Sequence, residues 1–240
     1  MKANGNTSVI ALSLLMGLPM SAGASAVDIL TRDFEDGLVG ASVISTPASN
    51  TWVNIRPSTD ASNGADGLVT FDQFFSSSFM MVGDLEGNIS QSNTGTSTVS
   101  FALNLPSDLT SLTIGYDWVF DTNNPSNPSS DLFSVEFLAG LTIYDYLQGS
   151  ATSLTPDRPG VVSTTRGTFS LTLTGTALSD LLTAGVDQIR FSLREDAALN
   201  SSAVGIDNIL ITGLVPVPTT LALLGIGLAG GVVSRRKSRR

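Results

Sequence analysis

From Thr98 to Leu105 the chain reads Thr-Val-Ser-Phe-Ala-Leu-Asn-Leu, with an apolar side chain at nearly every second position. An extended strand sends alternate side chains to opposite faces, so this pattern fits a strand with one face in a core and one in water. The same period of two returns at Thr51–Ile55, Leu112–Trp118, Leu132–Phe137, Thr168–Leu173 and Gln188–Leu193. Leu68–Phe74 and Phe79–Val82 are apolar runs of strand length, Tyr144 and Tyr146 share the face of a further strand, and Val204–Thr212 reads as the last. Gly, Asn, Ser and Pro punctuate these runs at roughly ten-residue spacing, which predicts an all-β, antiparallel sandwich. The one helical stretch is Ala177–Leu182, stopped by Gly185 and expected to cross an end of the sandwich. The Pro- and Asn-rich stretch Asp121–Ser130 is expected to be a long polar loop between strands.

The chain holds no Cys and no His. Disulfides cannot hold the fold, Ser-His-Asp and thiol catalysis are excluded, and so are the usual zinc sites. Any metal must be a hard cation held by oxygen, Ca²⁺ first among them.

The two ends belong to a different physical regime. Lys2 precedes a polar stretch, Val9–Leu18 is mostly apolar, and Ala24-Ser25-Ala26 is a small-x-small cleavage sequence. Residues 1–26 therefore read as a secretory signal, cut by signal peptidase after Ala26. At the other end, Leu214–Val233 is twenty residues without a charge, long enough to cross a hydrocarbon core of about 30 Å. Five of the last six residues are basic, which fixes that end in the cytoplasm and everything before it outside. Gly225, Gly227, Gly230 and Gly231 keep the span thin. Two readings follow: a permanent inner-membrane anchor, or a tag that holds the protein and is then cut. What lies between, residues 27–213, is one domain's length and carries six arginines against 21 acidic residues, a net of −15. Such a surface repels nucleic acid and anionic lipid, and suits neutral glycans and divalent cations.

The order Pro216-Val217-Pro218-Thr219, short Leu/Gly-rich helix, terminal cluster with Arg235 and Arg236 resembles the PEP-CTERM sorting signal over residues 215–240. The resemblance implies export in a bacterium that makes exopolysaccharide. It further implies recognition near Pro216–Thr219 by an exosortase, a membrane-embedded Cys protease-transpeptidase. Val217 stands where that signal usually has Glu.

Within the exported segment, Asp33-Phe34-Glu35-Asp36-Gly37 opens the domain and Gly205-Ile206-Asp207-Asn208-Ile209 closes it. This pair resembles the plan of jelly-roll carbohydrate-binding modules, whose first and last strands lie close together. The resemblance implies a jelly-roll-like sandwich and a structural Ca²⁺ held by Glu35 and Asp207, with Asp33 as a third ligand. The alternative reading makes Asp207-Asn208 an edge or bulge pair serving backbone donors, and Glu35-Asp36-Gly37 a turn.

Glycan contact needs aromatic faces or planar polar groups in a groove. Trp118, beside the long loop, and Tyr144 with Tyr146 are the candidates, each competing with a place in the core. Trp52 reads as core, and so do the clustered Phe71, Phe74, Phe75 and Phe79. With 21 carboxylates some pair always lies close, so their abundance does not argue for glycoside hydrolysis. The expectation is a non-catalytic, exosortase-sorted component of the cell envelope or matrix that contacts glycan. The alternatives are a membrane-anchored adhesin and a secreted polysaccharide-active enzyme.

Overall fold

The computed structural model describes residues 23–46, 52–56, 71, 74–83, 95–122, 132–146, 163–195 and 202–217. The chain separates into two compact units, and Ala26–Val215 forms the larger.

That unit is an antiparallel β-sandwich. Among the described residues its strands are β1 (Ala24–Arg32), β2 (Ala41–Thr46), β3 (Trp52–Arg56), β4 (Phe79–Gly83), β5 (Gly95–Ala102), β6 (Ser111–Thr122), β7 (Leu132–Ala139), β8 (Thr142–Tyr146), β9 (Ser163–Thr174), β10 (Gln188–Glu195) and β11 (Ser202–Pro216). One sheet runs β3-β4-β11-β6-β9, with β1 also on β11; the other runs β2-β5-β10-β7-β8. The alternation read from the sequence corresponds to β3, β5, β6, β7, β9, β10 and β11. In the segment expected as an apolar strand at Leu68–Phe74, the described residues lie in turns instead. There the Phe74 and Phe75 N–H groups both donate to the Phe71 carbonyl.

The facing sides of the sheets make the main core. Leu112, Ile114, Tyr116 and Phe120 of β6 and Val204, Ile206, Ile209 and Ile211 of β11 meet Val99, Phe101, Phe133, Val135, Phe137, Ile189 and Phe191 of the other sheet. Tyr116 lies at its centre, edge-on to Phe191 at 5.3 Å and stacked on Phe169 at 4.9 Å. Pairs of this kind add about 0.5–1.5 kcal/mol beyond area burial, in a chain with no cross-links. The expected helix is α1 (Gly175–Ala184), whose Leu178 and Leu181 enter the same core. Gly185 ends it at φ 71°, a left-handed conformation that a side chain disfavours, with its N–H turned back to Leu182 and Leu181.

A second, smaller core lies on the outer side of the six-stranded sheet. Phe71, Phe75 and Phe79 pack there on Met81, Val119 and Ala203, with Phe74 beside them. Gly205 of β11 is what lets them down onto the sheet. A Cβ at Gly205 would stand 2.6 Å from Phe75 Cε2 and 2.9 Å from Phe71 Cδ2.

Candidate functional site

Strand β11 is regular until Asp207, which sits opposite Asp117 of β6. Register then shifts, and Leu210 is the next residue in pairing, opposite Gly115. This bulge reverses the alternation. Ile206 faces the core before it and Ile209 after it, so Asp207 is left on the outer side with Asp117. Like charges directly opposite on one face repel.

Asn208 relieves that repulsion. It occupies the left-handed region at φ 53°, where Asn is among the few residues tolerated. Its backbone N–H donates to Asp207 Oδ1 at 2.7 Å, and its side-chain amide donates to Asp117 Oδ2 at 2.9 Å. Thr168 of β9 donates to Asp117 Oδ1 at 2.6 Å, and Ser77 donates to Asp207 Oδ2 at 3.1 Å. Asp207 is only 1% exposed. Burial pushes its carboxyl up to about 6, and Asp117 and Asp33 add to the rise against the two hydrogen bonds.

The opening segment reaches the same place. Phe34 is left-handed at φ 60°, and its ring is buried in the main core against Phe101. Holding that ring inward leaves Glu35 outside, where its Oε1 accepts the Ser78 N–H at 2.8 Å and its Oε2 the Ser78 hydroxyl at 3.3 Å. The Asp33 carboxylate accepts the Glu35 N–H at 3.3 Å. The structure thus brings Glu35 and Asp207 onto neighbouring residues, Ser78 and Ser77, just ahead of β4. Their four oxygens already accept hydrogen bonds, and among the described residues no three carboxylates gather as they would around a cation. In this arrangement two serines, Ser77 and Ser78, link the opening segment to the closing strand. Asp117, Ser77, Ser78 and Thr168 were not legible as partners, because the bulge that assembles them leaves no local mark in the sequence.

Trp118 is half-buried against the main core and lies over Gly167 of the neighbouring strand, where a Cβ would be 3.2 Å from its ring. It borders a cleft of about 370 Å³ with Phe74, Asp117, Arg166 and Thr168, and the Arg166 guanidinium rests on the Phe74 ring at 4.6 Å. Tyr144 is half-buried against the main core. A register shift interrupts β8, and the Tyr146 side chain lies outside the described residues. Tyr146 pairs with Glu136, whereas Asp145 pairs with core-facing Phe137 and Ile143 with Leu138. The Trp52 side chain lies outside the described residues.

The outer side of the five-stranded sheet is polar. Arg190 Nε donates to Glu136 Oε2 at 2.7 Å, its Nη2 also bonds that oxygen, and Ser134 donates to Glu136 Oε1 at 3.0 Å. At the β2–β5–β10 end of that face a cleft of about 430 Å³ is lined by the small residues Gly40, Ser42, Ser100 and Ala102 and by Leu103. Asn104, Asp187 and Gln188 stand around it.

Fold and chain end together define the class: an all-β sandwich whose last strand runs into a C-terminal signal. Residues 214–240 match the PEP-CTERM protein-sorting motif. Its first residues, Leu214 to Pro216, complete β11, and the Val217 N–H donates to the Gly23 carbonyl at 2.8 Å. Pro218, Thr219, Arg235 and Arg236 lie outside the described residues. The motif implies export and membrane anchoring through the C-terminal region. Among the described residues no helix is long and apolar enough to cross a membrane.

None of the curated proteins matches the chain. Among solved structures it is similar to a cleaved adhesin domain of Lys-gingipain from Porphyromonas gingivalis, at 13% identity and TM-score 0.43, covering 79% of this chain and 97% of that one. It is also similar to a family 11 carbohydrate-binding module from Clostridium thermocellum, at 14% identity and TM-score 0.35, covering 80% and 96%. A third is a xylan-binding domain from Paenibacillus barcinonensis, at 12% identity and TM-score 0.35, covering 82% and 99%.

Proposed function

We propose that signal peptidase removes residues 1–26 and that the domain 27–213 is held outside the inner membrane by residues 214–240. An exosortase-type enzyme then sorts it to the cell surface or matrix, where it serves as a non-catalytic component contacting neutral exopolysaccharide. The observation that carries this reading is the sorting motif at 214–240, whose first residues are the end of the last strand. Whatever is done to the motif is done to the sandwich.

The polar face of the five-stranded sheet supports glycan contact. The small residues lining the cleft suit a sugar ring, and the amides of Asn104 and Gln188, beside an Asp187 carboxylate whose Oδ1 accepts the Gly140 N–H, are suited to pairs of hydroxyls. The domain's net charge of −15 favours a neutral chain over an acidic one. The non-catalytic reading is supported by the carboxylate pair itself. Asp207, the one with a raised pKa, is buried beneath its partners, and both Asp117 oxygens are engaged.

Two measurements test the reading separately. Deleting residues 218–240 should leave the domain exported and absent from the surface fraction; unchanged partition would refute sorting through the motif. Affinity electrophoresis in gels containing the producer's own exopolysaccharide should show retardation that falls at least threefold in an Asn104→Ala/Gln188→Ala variant. Equal mobility with and without polysaccharide would remove glycan contact while leaving the sorting intact.

A further inference from the structure

Charge is unevenly placed on this sandwich. Strands β2, β4 and β5 carry no charged residue, and β3 carries only its last, Arg56. The remaining strands each carry at least one, from Asp28 and Arg32 on β1 to Asp207 on β11. Sheet order puts β2 at the end of one sheet beside β5 and β3 at the end of the other beside β4, while β1 also pairs with β11 and brings Arg32 over Phe101 of β5. Around them the chain runs uncharged from Gly37 to Ile55 and from Gly87 to Ser107. In a domain of net −15, an edge strand that carries no charge of its own lets a second, equally acidic copy approach with neutral groups nearest.

Among the described residues, β2 forms an edge of its sheet. Among the described strands β2 has one neighbour, β5. Edge strands are ordinarily blunted by charge, proline or bulges, because unpaired N–H and C=O groups invite another strand. β2, Ala-Ser-Val-Ile-Ser-Thr, has neither charge nor proline and pairs with β5 in unbroken register. Its middle is apolar on both sides. Val43, opposite core-facing Val99, is 45% exposed, and Ile44, opposite Thr98, is 62% exposed.

We propose that β2 is a self-association edge: two copies of this chain pair their β2 strands antiparallel about a twofold axis, joining two five-stranded sheets into one. A twofold axis perpendicular to the sheet keeps its faces continuous and passes through a residue position; placed at the middle of β2, at Val43 or Ile44, it sets an apolar side chain beside its own copy. The contact is neutral, so it strengthens as salt screens the repulsion between the two acidic bodies. Such pairing gives an exported matrix protein a dimeric unit without cross-links.

The absence of cysteine supplies a clean test in the full chain. Val43→Cys and Ile44→Cys, made singly, each introduce the chain's only thiol at a solvent-exposed position. Opposed residues at the axis lie about 5 Å apart between Cα atoms, within disulfide range. Val39→Cys, 66% exposed just before β2, and Leu141→Cys, 98% exposed at the β7–β8 turn on the opposite edge, measure random collision. Cells exporting each variant are fractionated and run on non-reducing gels. At least one of the two β2 variants should give a reducible homodimer at five times or more the yield of both controls. Sedimentation of the wild-type protein in mild detergent should show the dimer fraction rising between 0.05 and 0.5 M NaCl. Equal cross-linking at all four positions overturns the proposal, and so does none at Val43 or Ile44, a bond to a different protein, or a wild type that stays monomeric at both salts.

Discussion

The buried carboxyl of Asp207 makes a stability prediction whose sign and size follow from its surroundings. Its pKa of about 6 in the fold compares with an ordinary 3.8, so the folded state holds the proton more tightly than the unfolded chain. The protonated form therefore favours folding fully below about pH 4, and that contribution is lost as pH rises through 6. The difference is worth about 3 kcal/mol. Asp207→Asn imitates the protonated state: its carbonyl still accepts the Asn208 N–H, and its amide faces the Ser77 hydroxyl, which can turn to accept. The variant should exceed wild type by up to about 3 kcal/mol at pH 7.5, and the gap should close by pH 4. Urea unfolding followed by Trp fluorescence across pH 4–8 measures this, and subtracting variant from wild type cancels the other acids. Because the oxygens of Glu35 and Asp207 are already engaged, millimolar Ca²⁺ against chelator at matched ionic strength should leave the wild type unchanged. A gap independent of pH, or a variant weaker than wild type at pH 7.5, would refute the reasoning. A Ca²⁺-specific gain that vanishes in Asp207→Asn would return a cation to this place.

Two further predictions concern the sheet faces. Gly205→Ala pushes a methyl against the Phe71 and Phe75 rings over the outer core, which overpacking puts at about 1–3 kcal/mol, read as a lowered unfolding midpoint. Arg190→Ala leaves the buried Glu136 without its cationic partner, with the Ser134 hydroxyl still donating to it, and should cost about 3 kcal/mol, whereas Arg190→Met with Glu136→Gln should recover most of it; an unaltered midpoint in the single variant would mean that the pair contributes nothing.

Much of this fold is visible in the chain because one physical rule writes most of it. Where a strand has one wet face, as in β5, β6 and β10, alternation marks it, and Gly185 marks the end of α1. The rule fails where the local pattern is broken by something distant. Strand β2 is short and apolar on both sides because it sits at an edge, so it shows no period. The bulge in β8, between Ile143 and Asp145, interrupts the period that the sequence suggests there. The bulge at Asp207 turns that residue outward onto Asp117, Ser77 and, through Ser78, the neighbourhood of Glu35. Those partners come from three separate parts of the chain, and only the folded sheet reveals that the two end motifs meet over serines. Phe71 and Phe75 read as core and are core, yet they cover the outside of a sheet, a place that only Gly205 betrays.

The central claim is that this sandwich is exported and sorted through its own last strand. It is tested most directly by intact-mass measurement and terminal peptide mapping of the protein recovered from the cell surface. The account predicts a first residue of Val27, so that Gly23, the acceptor of the Val217 N–H, is gone, and a last residue near Pro218. Surface protein that still begins at Met1 and ends at Arg240 would contradict it.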